Sequence, residues 1–282
     1  LSFDPLEKPR PVRQRAAGWW PALPALTLLF AFFLFPVARM LGLSLESGNL
    51  DWYAKALGEG LYIRVMWNTF EIAILVTLVC LLLGYPLAFL MATTTPAWAT
   101  LGFVFVLLPL WTSVLVRTYA WMVLLGRNGV LNRLLVDYGI VSAPLPLLHN
   151  FTGVMIGMVH VLLPYMVLPI YSAVRKIDPA IPAAAAGLGA SNWRIFWRIW
   201  LPLTLNGVFA GCVLVFILSL GFYITPALLG GGRVIMIAVL IEQQVREALN
   251  WSFAAALSAV LLAVTVLVYT LVQRFSQREP AR

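Results

Sequence analysis

The chain has 282 residues, 62% of them hydrophobic and only 11% charged, whereas soluble domains carry roughly 25% charged residues; this is the composition of a polytopic membrane protein, with a mean hydropathy of +0.92. At ~20 apolar residues per span the length accommodates six spans and modest loops and leaves no room for a soluble catalytic domain. The net charge of +8 bears on topology rather than on nucleic acid, and Cys80 and Cys212 lie inside apolar runs, where they offer neither a disulfide framework nor a zinc cluster.

An arm, residues 1–18, carries Lys8, Arg10, Arg13 and Arg15. The run that follows, Trp19–Leu43, is too long for a secretory h-region of 7–15 residues and is expected to be an uncleaved anchor. Further runs of at least 18 residues are Met66–Ala92, Leu101–Leu125, Phe151–Val174, Leu205–Leu228 and Trp251–Val272,. Residues 19–273 are thus predicted to be an all-α, six-helix transmembrane domain, and 274–282 a tail. The arm, the tail and the loops Thr93–Thr100 and Arg175–Thr204 hold eleven Lys and Arg against four Asp and Glu. Segments Ser44–Val65, Gly126–Asn150 and Leu229–Asn250 hold six of each. The positive-inside rule therefore places both termini in the cytoplasm.

Pro86, Pro109, Pro164, Pro169 and Pro226 fall in or at the ends of spans. Each removes a backbone donor, so neighbouring helices or water must satisfy the freed carbonyls, as in a bundle around a cavity.

The segment Arg175–Pro202 is the most informative. Asp178-Pro179 reads as a cap and first-turn proline for a short helix, Ala180–Leu188, ended by Gly189. Its Ala183–Ala186 run gives a smooth surface. Ser191 caps a second helix, Asn192–Trp200, in which Trp193, Phe196, Trp197 and Trp200 interleave with Arg194 and Arg198, a pattern for the membrane interface. Leu201-Pro202 is expected to interrupt the chain before the fifth span.

Ala184-Ala185, Gly189 and Ile199-Trp200-Leu201-Pro202 have the spacing of the EAA motif, and the segment resembles that of permeases of ATP-binding-cassette importers. One position departs: Ala183 stands where the motif has glutamate, which removes a charged contact and keeps the small-residue surface. The resemblance implies a type I importer permease fold, and a coupling helix over Ala180–Ala190 that docks on an ATPase subunit through Ala184, Ala185, Gly189, Ala190, Ile199, Leu201 and Pro202. Asn68-Thr69, Val116–Trp121, Leu125–Gly129, Leu162–Tyr165 and Thr225–Gly231 are similar to the spermidine/putrescine permease subgroup. In that subgroup an acidic residue often follows Ser-Leu-Gly; here Phe222 follows Ser219-Leu220-Gly221.

The resemblance implies an inner-membrane subunit for binding-protein-dependent import of a polyamine or related small molecule. Its implied partners are a second, homologous permease, two ATPase subunits and an external substrate-binding protein. The chain lacks a Gly-x-x-x-x-Gly-Lys-Ser/Thr loop, so it is expected to be no enzyme, without cofactor, with ATP bound by its partners. Alternatives are an ABC permease for another substrate and a secondary transporter driven by an ion gradient, which needs intramembrane acidic relays that Glu71 alone scarcely provides.

Arg117 lies eight residues, or ~12 Å, from the end of the third run. A central Arg costs ~2.5–3.5 kcal/mol on insertion scales, so it is expected to face the bundle interior, paired with Glu71, acting in a gate or path, or both. His160 reads as lining the path or as packing, with no second ligand at metal spacing. Tyr119, Tyr165 and Tyr223 offer ring faces to a cation or simply pack.

Accessibility tags at Lys8, Ala97, Ala190 or Pro280 are expected to report cytoplasm, and tags at Leu50, Tyr138 or Leu240 the outside. An outward report from Ala190 overturns the assignment of a cytoplasmic coupling loop.

Overall fold

The computed structural model describes residues 20–45 and 50–276; the arm at 1–18 and residues 277–282 lie outside the described residues. The described residues form helices joined by irregular connections, with no strand among them. We number the helices α1 (Leu23–Leu43), α2 (Asp51–Gly58), α3 (Gly60–Thr93), α4 (Pro96–Trp111), α5 (Val114–Leu125), α6 (Val130–Asp137), α7 (Phe151–Arg175), α8 (Ala180–Gly187), α9 (Asn192–Leu220), α10 (Ile224–Leu229), α11 (Ile237–Arg246) and α12 (Trp251–Ser276). Among the described residues five are long and apolar enough to cross a bilayer, or six if the sharply bent pair Pro96–Trp111 and Val114–Asp137 counts as one span.

The centre of the bundle is the trio α3, α7 and α9. Lipid tails are as apolar as Leu, so helices associate there by close packing rather than by the hydrophobic effect, and small residues mark the contacts. Gly207 of α9 approaches α7 so closely that a Cβ there would sit 2.5 Å from the Ala173 Cβ and 2.7 Å from the Pro169 carbonyl oxygen. Gly211, one turn on, abuts Met166 in the same way. Met158, Leu162, Met166 and Ile170 of α7 are fully buried along this seam. Tyr85 of α3 and Thr204 of α9 share a buried hydrogen bond of 3.0 Å.

Three expectations are corrected. The run Leu101–Leu125 is not one helix: Thr112 and Ser113 are extended, and the axis turns by 103° between Pro96–Trp111 and Val114–Asp137. Two polar residues inside an apolar run do not register in a hydropathy window. Leu201-Pro202 does not interrupt the chain, since a π-turn over Phe196–Trp200 lets α9 run unbroken from Asn192 to Leu220. A second π-turn, Phe30–Leu34, stands at the same spacing before Pro36 in α1. The wider turn accommodates a residue that lacks N–H and crowds the preceding carbonyl. Pro164 and Pro169 likewise lie within an unbroken α7.

The third correction concerns the segments read as loops at the end of the bundle opposite α8. Residues 229–250 fold back inward. The Ile237 amide donates to Thr69 Oγ1 at 2.8 Å, nine residues, or about 14 Å, along α3 from Gly60. Ile237 and Leu240 are buried with Tyr62, Phe253 and Leu257, and the Tyr62 and Phe253 rings meet edge to face at 5.0 Å. A tag at Leu240 would therefore disrupt packing; exposed Arg233 is the position on this segment that accepts one. Residues 126–150 are organised by Asn132, 1% exposed, whose amide donates to the Gly126 and Leu145 carbonyls and accepts from the Leu145 amide.

Replacing Gly207 by Val is expected to cost about 1–3 kcal/mol through overpacking, read as a lower melting temperature of the solubilised protein. Gly42→Ala, where an added Cβ meets nothing within 4 Å, does not lower it.

Candidate coupling surface and translocation path

Helix α8 forms because its start and stop are both chemically specified. Asp178 Oδ1 accepts from the Ala180 amide at 2.9 Å, fixing the first turn. At the other end Gly189 takes φ +82°, in the left-handed region, which Gly enters at no steric cost. The Ala190 amide then donates to the Ala185 carbonyl at 3.0 Å and the Gly189 amide to Ala186 at 2.9 Å, a Schellman closure. No residue of α8 is buried, and Leu188 is 90% exposed. Ala184 and Gly189 are exposed, Ala185 and Ala190 half-buried. Together they present a small, smooth face away from the rest of the chain.

Ser191 Oγ accepts from the Arg194 amide at 3.4 Å and begins α9 immediately after this turn. The first turns of α9 have two faces. Phe196 and Trp200 point into the bundle, where their rings meet Phe89 at 5.6 and 5.3 Å and Phe196 also meets Tyr85. Trp193, Arg194, Trp197 and Arg198 are exposed. Ile199 is half-buried, Leu201 packs against the core and Pro202 is exposed. The sequence motif is thus divided between a presented helix and a segment wedged against α3.

The residues proposed for a path or gate are distributed unevenly. Arg117 is 9% exposed and does not pair with Glu71. Its Nη1 donates to the Pro109 carbonyl across the bend between α4 and α5, and its buried Nε has no hydrogen-bond partner. Glu71 is exposed on α3, in line with Trp67, Ile74 and Leu78, whereas α5 packs chiefly on α6, α7 and α10. The two side chains therefore belong to different faces. Arg246 and Glu242 of α11 do form an ion pair, one turn apart.

His160 lies beside α5: Trp121 Nε1 donates to its Nδ1 at 3.1 Å, with the rings 5.6 Å apart. An accepting Nδ1 puts the imidazole proton on Nε2. Tyr165 is half-buried on the same helix, α7, and packs against the core. Tyr223 sits in the short connection from α9 to α10, half-buried beside Phe222. Tyr119 is exposed. No group of three metal-ligating side chains occurs among the described residues.

The structure adds residues that no sequence signal singled out as joining elements. Thr118 of α5 and Thr225 of α10 share a buried hydroxyl contact of 3.2 Å, so the end of the fifth span is tied to the helix carrying Arg117. Thr69 and Asn132 anchor the folded-back segments. A lone Thr or Asn in an apolar or mixed stretch has no periodicity that marks it.

Residues 22–279 match the family described as binding-protein-dependent transport system inner membrane component. The chain is 40% identical over 253 residues to the spermidine/putrescine transport system permease protein PotB of Haemophilus influenzae, covering 86% of this chain and 88% of the relative. It is 36% identical over 224 residues to the protein of the same name from Escherichia coli K12, covering 78% and 81%. Its fold is similar to a chain in the crystal structure of the bacterial alginate ABC transporter in complex with an alginate pentasaccharide-bound periplasmic protein, with TM-score 0.76, 17% identity and coverage of 92% and 93%.

With Arg117 bound to a carbonyl, Arg117→Ala is expected to destabilise the bend by about 1.5–3 kcal/mol, the net worth of a hydrogen bond from a charged group. Its effect and that of Glu71→Ala should add within about 0.5 kcal/mol in the double variant. A larger coupling energy would mean the two side chains meet.

Proposed function

The chain belongs to the family of binding-protein-dependent transport system inner membrane components, and from that premise we propose that it imports a polyamine as one of two homologous permeases joined to two ATPase subunits. The identity to spermidine/putrescine permeases over most of both chains supports the substrate class. The observation that carries the coupling role is α8, a helix with no buried residue, capped at both ends and presenting alanines and glycine. A self-contained monomer has no use for so rigid and bare a protrusion. An ATPase groove does.

The excess of Lys and Arg supports a cytoplasmic position for α8 and both termini, with the folded-back segments 126–150 and 229–250 outside, where a substrate-binding protein delivers its cargo. In this reading ATP favours the closed ATPase dimer and thereby one arrangement of the permease pair, the only way a ligand can shift an equilibrium. Displacement of α8 passes through the Gly189 turn into α9. The Phe196 and Trp200 rings, seated against Phe89, carry it to α3. Chains of packed side chains with two discrete arrangements are what transmit such changes.

Gly189→Arg is expected to abolish uptake and ATPase association without preventing insertion, because the position has open space around it but lies in the proposed contact, and its φ of +82° is one that residues with a Cβ rarely adopt. Spermidine uptake by reconstituted vesicles and co-purification of the ATPase measure the two effects. Normal uptake with full co-purification overturns docking at α8. Uptake that persists after ATP depletion overturns the ATP-driven reading itself.

A further inference from the structure

The first turns of α9 carry an outward face that the bundle does not use. Helix α9 runs 29 residues, Asn192–Leu220, or about 43 Å at 1.5 Å per residue, against a hydrocarbon thickness of about 30 Å. No charged residue occurs from Ile199 to Leu220, so the excess length lies at the other end, where Arg194 and Arg198 stand. These two turns therefore reach headgroup level. Trp193 is 71% exposed and Trp197 49%, and their rings meet edge to face at 5.4 Å, so successive turns present them on one side. Arg194 and Arg198, also one turn apart, are both exposed. Among the described residues neither guanidinium has an ion-pair or hydrogen-bond partner.

Two like charges one turn apart on a helix repel each other, and the acidic residue nearest to them in sequence, Asp178, is turned to the Ala180 amide. An anion between the guanidinium groups removes that repulsion, and phosphate matches their donors best. Indoles favour the level of the headgroups, where the ring is apolar and the N–H finds an acceptor. Further along α9 the exposed side chains change to Leu203 and Leu205, each 50% exposed. Guanidinium, indole and then aliphatic carbon is the order in which a phospholipid presents phosphate, glycerol ester and acyl chain. We propose that Trp193, Arg194, Trp197 and Arg198 form a docking surface for an anionic phospholipid of the leaflet on the α8 side, the two arginines taking its charge and the indoles its ester region. Ser191, which caps α9, adjoins the Gly189 turn, so a lipid held here sets the height at which α8 stands above the membrane.

The complex, reconstituted with its partner subunits in phosphatidylcholine vesicles, tests this with a trace of photoactivatable phosphatidylglycerol or of the matching phosphatidylcholine, label on residues 192–200 being located by mass spectrometry. Phosphatidylglycerol should label this segment in preference. Arg194→Gln together with Arg198→Gln should lower the ratio of phosphatidylglycerol to phosphatidylcholine label by about thirtyfold, and either change alone by about fivefold, at about 1 kcal/mol of attraction per arginine. Arg194→Lys with Arg198→Lys keeps both charges and should keep most of the preference. Arg233→Gln, exposed on the far segment, should leave the ratio on residues 192–200 unchanged. Equal label from the two lipids in the wild-type complex, or a preference that survives the double Gln variant, means an indole belt without headgroup recognition and overturns the proposal. Label that appears only after the ATPase subunits are stripped assigns the surface to the ATPase instead and overturns it as well.

Discussion

Everything in this bundle depends on how closely α7 lies against α3 and α9. In a bilayer no hydrophobic effect drives helix against helix, so the stabilisation comes from van der Waals contact and from hydrogen bonds that have no water to compete with them. Gly207 and Gly211 permit the approach: Ala173 and Pro169 come up against the first, and Met166, a flexible side chain that fills irregular gaps, against the second. The buried Tyr85–Thr204 contact then fixes the register of α3 on α9. Because α9 begins at the Gly189–Ser191 turn, the same seam sets where α8 is held and how rigidly.

Backbone satisfaction explains the irregularities. Prolines lie within four of the long apolar helices, and in each case the chain answers locally: two π-turns precede Pro36 and Pro202, and α3 and α7 run through their prolines within packed surroundings. Only between α4 and α5 does the chain break, and there Arg117 covers the Pro109 carbonyl while Thr112 Oγ1 donates to it as well, at 3.2 Å. A residue that looks out of place in an apolar run is thus the group that makes the bend tolerable. Its cost of burial is offset by the exposed backbone it serves.

The far end of the bundle is folded inward and the α8 end is presented outward. Segments 126–150 and 229–250 are held by Asn132, Thr69 and a tilted aromatic group around Phe253. At the opposite end, α8 contributes nothing to the core.

Much of this was legible in the sequence because the bilayer enforces simple rules. Length and apolarity determined the number of spans, Lys and Arg counts the expected orientation, and Asp178, Gly189 and Ser191 the bounds of α8, since caps and left-handed turns are local chemistry set by single residues. The bend at Thr112-Ser113, the burial of α11 and the pairing of Arg117 were not legible. Each depends on which face of one helix meets which face of another, and in helices apolar all round no periodicity records that rotation. The tertiary structure alone decided that Arg117 turns to Pro109 and Glu71 to the surface, because partners for a buried charge are chosen by proximity across the bundle and not by spacing along the chain.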